Sequence, residues 1–286
     1  MRVGKSTRLR TRGRAVADFP MPPSYAAVAH ALRDEIIEQS ERAGIRLDTP
    51  AGLRTLDTNS TLAPVRGRSL LRLLALRGAP PIAGQRVLDL GAGFGSVSLY
   101  FASLGAQVVA VDTKFERIEL AGRVARRHQL PVRVLHADVS SLPLPDDEFD
   151  IVVANNSLCY VVGREARRRA FQEIARVCRP QGWFVMRNPN GLHPRDQFTA
   201  LPLLPLLPPT VAVRIAERRG RPRSLVHLSS PRAAVRELRR AGFQEVRVES
   251  LGYPRPIAKI ARYLHVVARA PGSTSGPANG AANTGC

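Results

Sequence analysis

The sequence predicts an α/β fold, a doubly wound and mainly parallel sheet, on three observations. Short apolar runs of strand length alternate with segments whose apolar residues recur at helical spacing. The first run, Arg86-Val87-Leu88-Asp89-Leu90, opens into a glycine-rich turn, Gly91-Ala92-Gly93-Phe94-Gly95. Polar residues close the first four runs: Asp89, then Asp112 after Val108 to Val111, then Asp138-Val139 after Val132 to Ala137, then Asn155-Asn156 after Phe149 to Ala154. In open α/β sheets a ligand binds in the crevice beyond the strands' carboxyl ends, so these residues are expected to converge on one site.

The glycine turn between the first strand and a helix running from Val97 to Leu104 is a nucleotide site by its geometry. Gly91 and Gly93 let the backbone turn tightly and come close to a ligand, and the helix start offers free N–H groups. A dinucleotide fingerprint would place its third glycine at position 96, which is serine; the glycine stands one place early, at Gly95. The carboxylate of Asp89 suits a ligand that carries an ammonium group and suits a pyrophosphate poorly, because like charges would meet in a partly desolvated cleft. About 20 positions further on, Asp112 is placed to accept both hydroxyls of a ribose.

The pattern Asp89-x-Gly91-x-Gly93-x-Gly95 resembles the cofactor loop of class I S-adenosylmethionine-dependent methyltransferases. The stretch Leu142-Pro143-Leu144-Pro145-Asp146-Asp147-Glu148-Phe149-Asp150, with Arg179-Pro180-Gln181-Gly182-Trp183 after it, is similar to the branch of that family that includes quinone, sterol and glycolipid enzymes (type 11 methyltransferase domain). The likeness spans roughly residues 84 to 190 in its core. It implies a Rossmann-like, seven-stranded, mainly parallel sheet with an antiparallel last strand, N-terminal helices over the cofactor, and S-adenosylmethionine as cofactor. The site it implies consists of Asp89, Gly91, Ala92, Gly93, Asp112, Thr113, Asp138, Val139 and Asn155, with the acid and backbone at 138 and 139 reading the adenine amine.

Composition sets bounds around this. At 286 residues the chain can bury a full core in one elaborated domain. No apolar run approaches the roughly 20 residues of a membrane helix, nor the stretch that a secretory leader needs, so a cytoplasmic protein is expected. Cys159, Cys178 and Cys286 fit neither a disulfide framework nor zinc ligation; the first two read as packing residues and no metal site is expected. The net charge of +20 comes almost wholly from arginine, since Lys5, Lys114 and Lys259 are the lysines, and it is dispersed along the chain. Such charge favours anionic partners without choosing among them.

In chain order, residues 1–23 form a basic, proline-ended arm expected to be disordered, and 24–270 a single methyltransferase domain. A helix capped by Ser24 runs through Tyr25, Val28, Leu32 and Ile36 to Gly44, and another carries Leu70, Leu71, Leu73 and Leu74 to Gly78. Helices Phe115 to His128 and Arg164 to Val177 follow the second and fourth strands; in the latter Arg167, Arg168 and Arg169 read as a solvated outer face. Ser229-Ser230-Pro231 starts a helix that Ala241-Gly242 closes, and strands Phe243 to Ser250 and Arg262 to Arg269 complete the sheet. Residues 271–286 read as a flexible tail.

Residues 189–228 are an insertion that emerges at the carboxyl end of the fifth strand, where a substrate lid is expected. It holds His193, then the segment Leu201-Pro202-Leu203-Leu204-Pro205-Leu206-Leu207-Pro208-Pro209, then Arg214, Arg218, Arg219, Arg221 and Arg223. The leucines can close an apolar pocket or rest on a bilayer, with the arginines toward anionic headgroups, so 201–223 offers peripheral membrane contact. His193 is the first candidate for a general base, with His227 and Asp196 as alternatives. The expected reaction is methyl transfer to a small-molecule, lipid-linked or glycan hydroxyl. Two other functions compete with this one. Nucleic-acid methylation is disfavoured because the base-amino motif after the fourth strand lacks its prolines and aromatic, the residues being Asn155-Asn156-Ser157-Leu158. A non-catalytic cofactor-binding subunit is disfavoured by the complete cofactor loop.

Overall fold

The computed structural model describes residues 23–221, 223–249, 251 and 260–272. The expectations for the basic arm before residue 23, for Ser250, for the tail beyond 272 and for Cys286 lie outside the described residues.

Seven strands make one twisted sheet in the order β3-β2-β1-β4-β5-β7-β6. They are β1 Arg86–Leu90, β2 Gln107–Asp112, β3 Val132–His136, β4 Phe149–Asn155, β5 Cys178–Pro189, β6 Gln244–Glu249 and β7 Tyr263–Arg269. The first five pair in parallel. β7 inserts antiparallel between β5 and β6, as the resemblance implies. The order reverses at β1 and β4, and crossover helices on opposite faces leave a crevice between their carboxyl ends.

The helices are α1 Pro23–Arg42, α2 Pro50–Asn59, α3 Ala63–Ala75, α4 Ser96–Ser103, α5 Phe115–Arg127, α6 Arg164–Val177, α7 Pro209–Arg218 and α8 Pro231–Arg240. Alternation along the strands divides the core in two. Val87, Ile151, Val153, Trp183 and Val185 face α1, α3, α4 and α5, whereas Leu88, Val152, Phe184 and Met186 face α6 and α8. Cys159 and Cys178 are both buried.

Three details differ from expectation. Helix α1 already includes Pro23, so Ser24 lies inside it. Helix α2 has no counterpart among the predicted elements; Thr49 caps it, accepting from Gly52 N at 3.0 Å, and Leu56 is buried under it. Arg167 is not on the wet face of α6 but buried, held by Glu237 on α8. Its neighbours Arg168 and Arg169 are exposed, paired with Glu165.

The insertion 189–228 folds into a small unit of its own around Leu204, Ala212 and Ala216. Prolines keep it short of a long helix: a 3₁₀ turn spans Leu204–Leu206, and α7 starts at Pro209. Its internal tie is Asp196, which accepts from Phe198 N, Thr199 N and Thr199 Oγ1 and pairs with Arg223; both side chains are buried, 0% and 2% exposed. Arg221 donates to the Thr199 carbonyl at 2.9 Å. These two arginines thus hold the lid together, Arg221 while staying exposed itself, and Arg214, Arg218 and Arg219 are exposed with no ion pair among the described residues.

Candidate active site

A cavity of about 860 Å³ opens at the carboxyl ends of β1, β2, β3 and β4. That lies toward the upper end of the roughly 300–1,000 Å³ of small-molecule sites, enough for a cofactor with an acceptor beside it. Asp89, Gly91, Ala92, Gly93, Asp112, Thr113, Asp138, Val139 and Asn155 all line it. α2 and α3 add Thr58, Asn59 and Arg66 to the walls, and the lid adds Gln197, Phe198 and Ser224.

The glycine loop takes its shape from left-handed backbone at Gly91, Gly93 and Gly95, with φ of 65°, 59° and 70°. A Cβ at Gly91 would fall 2.2 Å from Ser157 Cβ, so this turn packs directly on the segment after β4. At Gly93 a Cβ would meet nothing within 4 Å, because that side faces the crevice. α4 then starts at Ser96, and Tyr25 on α1 donates to the Ser96 carbonyl at 3.2 Å.

Each carboxylate has a distinct setting. Asp89 is buried and accepts from Ser98 Oγ at 2.6 Å. Loss of solvation lifts its carboxyl to about 6, the Ser98 hydrogen bond opposes this, and the negative charge of Asp112 adds to it. Asp112 accepts from Gly93 N at 2.7 Å and Lys114 N at 2.9 Å, which ties the ends of β1 and β2 together. Asp138 accepts from Ser140 N and Ser140 Oγ at 2.7 and 2.6 Å. Past β4, Asn156 Oδ1 and Ser157 Oγ are buried polar atoms without a partner, both on residues that line the crevice. Such atoms, with the open face at Gly93, are what a bound polar ligand would complete.

His193 is placed elsewhere. Asn190 turns the chain after β5, with Nδ2 donating to the Ala261 carbonyl at 2.9 Å and Oδ1 accepting from Leu192 N at 3.0 Å. The His193 ring then meets the Ile260 carbonyl through Nδ1 at 2.9 Å, and the residue is not among those that line the crevice. A carbonyl only accepts, so Nδ1 carries the hydrogen in that contact. The alternatives fare no better: Asp196 is consumed inside the lid, and His227, half-buried and with its basicity lowered by desolvation, lies outside the lining too.

The strand order, the glycine turn and the strand-end carboxylates match the arrangement that the resemblance to class I S-adenosylmethionine-dependent methyltransferases implies. Residues 88–186 match the family described as "Methyltransferase domain". A demethylmenaquinone methyltransferase of Clavibacter sepedonicus is 38% identical over 130 residues, 46% of this chain and 51% of that protein. The chain thus spans about half the length of that relative. Among solved structures, an S-adenosylmethionine-dependent methyltransferase from Mesorhizobium loti superposes with a TM-score of 0.54 at 24% identity, covering 68% of this chain and 95% of that one. Phosphoethanolamine N-methyltransferase 2 of Haemonchus contortus, in complex with S-adenosyl-L-methionine, gives 0.52 at 16% identity, covering 72% and 52%. At these identities the two structures speak to the fold.

Proposed function

We propose that this chain is an enzyme that transfers the methyl group of S-adenosylmethionine to a hydroxyl of a small-molecule or lipid-linked acceptor. The observation that carries it is the grouping of Asp89, Asp112 and Asp138 around one glycine turn whose Gly93 side is open. Asp112 would hold the ribose hydroxyls, Asp138 and Val139 the adenine edge, and Asp89 the amino-acid ammonium. When bound, the cofactor supplies an electrophilic methyl on a sulfonium. What the chain then contributes is alignment of a nucleophile and exclusion of water, which α2, α3 and the lid provide by walling the crevice. The name of the Clavibacter relative supports a small-molecule acceptor. Calorimetry tests the cofactor: S-adenosylmethionine should bind and NAD should not. Transfer of labelled methyl to candidate hydroxyl acceptors tests the reaction, and tight cofactor binding without transfer to any of them would favour a non-catalytic subunit.

A second proposal concerns the lid. Leu203, Leu206 and Leu207 are 58%, 57% and 38% exposed, and Arg214 and Arg218 on α7 and Arg219 just after it are exposed in the same segment. We propose that segment 201–223 rests on an anionic lipid surface that carries the acceptor. No described helix is long and apolar enough to cross a membrane.

A further inference from the structure

One row of the sheet runs in register away from the crevice: Asn155 on β4, which lines it, then Arg187 on β5, His265 on β7 and Glu249 on β6. Arg187 shares its strand face with Trp183 and Val185, which pack toward α1 and α3. Its guanidinium reaches Asn155 Oδ1 at 3.3 Å and lies 3.4 Å from the centre of the Tyr263 ring. Arg66, on α3, lines the crevice wall itself.

Among the described residues neither guanidinium is paired with a carboxylate. Buried or half-buried arginines elsewhere in the chain are: Arg167 with Glu237, Arg223 with Asp196, Arg123 with Glu35 and Arg176 with Glu173. Among the described residues no ion pair involves Arg66 or Arg187. The nearest acid in the row, Glu249, stands two strands from Arg187, about 10 Å away, and is engaged by Arg77. Outside the described residues the sequence holds a single acidic side chain, Asp18. Burial lowers Arg66 to about 10, Arg187 repels it further, and Tyr263 and Tyr25 act in the opposite sense. His265 is held neutral, near 4, by burial and by the charge of Arg187. Two desolvated positive charges that repel each other cost stability unless an anion joins them.

We propose that Arg66, reinforced by Arg187 behind Asn155, forms the acceptor's anchoring site and takes a compact anionic group, a carboxylate or a phosphate. This builds on the methyl-transfer function above, since the site belongs to the acceptor only if that function holds. Apart from Asn155, which borders both, the position separates it from the cofactor residues. α3 packs on β5, whereas the glycine turn and Asp112 follow β1 and β2 on the far side of β4. Arg66 touches the anion, and Arg187 raises the local potential without lining the cavity.

The test needs no turnover. The full chain is titrated calorimetrically with inorganic phosphate and, separately, with benzoate, alone and with saturating S-adenosylhomocysteine. Saturable binding of at least one anion is expected, and it should persist in the loaded protein. Benzoate binding identifies a carboxylate site and phosphate binding a phosphate site. Arg66→Met should weaken it by about tenfold or more, the loss of a charge-assisted contact, and Arg187→Met by less. Arg239→Met, on α8 and outside the crevice lining, should leave it unchanged. Without anion, Arg66→Met should melt about 2–4 °C higher than the parent, because an unpaired charge is removed. A lower melting temperature, or equal weakening by Arg239→Met, would overturn the proposal. So would anion binding abolished by S-adenosylhomocysteine, which would assign Arg66 to the cofactor's own carboxylate. Failure of S-adenosylhomocysteine to bind at all would count against the methyl-transfer function instead, while the melting and anion experiments on the unloaded protein still decide whether the anion site exists.

Discussion

Arg167 and Glu237 meet in a two-pronged pair, Nε to Oε1 at 2.7 Å and Nη2 to Oε2 at 2.8 Å, that locks α6 to α8. The same guanidinium donates through Nη1 to the Leu158 carbonyl at 2.8 Å and through Nη2 to Ser229 Oγ at 3.1 Å. It thereby fixes the turn after β4, whose residues Asn156, Ser157, Leu158 and Tyr160 border the crevice, to the residue that follows the lid. Removing Arg167 alone leaves Glu237 facing a buried gap. Arg167→Met should cost roughly 3 kcal/mol in denaturant unfolding, near the low end for a broken buried pair because Glu237 keeps some exposure. Arg167→Met with Glu237→Leu should recover much of that loss. Equal losses in the single and double variants would mean that the contacts to Leu158 and Ser229, and not the pair, carry the stability.

Asp89 links cofactor binding to pH. Its carboxyl is lifted to about 6, chiefly by burial, from an ordinary value near 4. A raised acid stabilises the fold below its unfolded value, and that contribution is lost as pH rises from about 4 through 6. The free protein should therefore gain melting temperature at pH 7 on Asp89→Asn. A positively charged ligand needs the ionised carboxylate, so S-adenosylmethionine should bind about tenfold more weakly at pH 5 than at pH 7. In Asp89→Asn the affinity should be lower and flat over that range. A flat profile in the parent protein would remove the ammonium role from Asp89.

Asp112 has two duties in the crevice. Besides its proposed ribose contacts, it anchors the backbone of Gly93 and Lys114. Asp112→Ala should lose roughly 1.5–3 kcal/mol of cofactor affinity, the scale of a charge-assisted hydrogen bond. Calorimetry on the purified variant measures this directly, and an unchanged dissociation constant would rule the ribose assignment out.

His193 should tolerate replacement. Its place just past β5 suggests a general base, but Asn190 turns the chain so that the ring meets Ile260 and not the crevice. His193→Ala should keep turnover within about threefold, where loss of a true general base costs roughly 10²–10⁴-fold. A loss in the larger range with unchanged cofactor affinity would restore it as the base.

What could be read from the sequence was whatever depends on neighbours along the chain. The glycine turn and the acids that close β1, β2 and the loop after β3 are local, so Asp89, Asp112 and Asp138 were legible before the fold was known. Helix α2 was not, because Gly52, Thr55, Thr58 and Asn59 are weak helix formers; only Thr49-Pro50, a cap followed by proline, marked its start. Two arginines were hidden by their chemistry. Arg167 shares the buried stripe of Ala170, Phe171 and Ile174 at i+3, i+4 and i+7, yet its two arginine neighbours made it look solvated. Arg187 keeps the two-residue alternation of Trp183 and Val185, and a charge at a core-facing position was the signal available there. The partners of His193, Arg221 and Arg223 depend on how the lid folds back, which residue spacing does not encode.

The lid gives the last prediction. Its apolar residues separate into two sets: Leu204 is buried in the lid's own small core, while Leu203, Leu206 and Leu207 point outward. In the same segment Arg214, Arg218 and Arg219 are exposed, while Arg221 donates to Thr199 and Arg223 pairs with Asp196. Apolar side chains next to basic ones suit an anionic bilayer, each fully buried leucine contributing roughly 1.5–3 kcal/mol and each arginine near the surface about 1 kcal/mol. The full chain should therefore sediment with phosphatidylglycerol vesicles and much less with phosphatidylcholine vesicles, with added salt releasing it in part. Replacing Leu203, Leu206 and Leu207 together by serine should lower vesicle binding by about tenfold or more, and leave S-adenosylmethionine affinity and melting temperature nearly unchanged because none of the three supports the lid core. Binding lost equally to salt in both proteins, with no effect of the serines, would reduce the contact to the diffuse charge of the chain, and no sedimentation of the parent protein would remove the membrane from the lid's role.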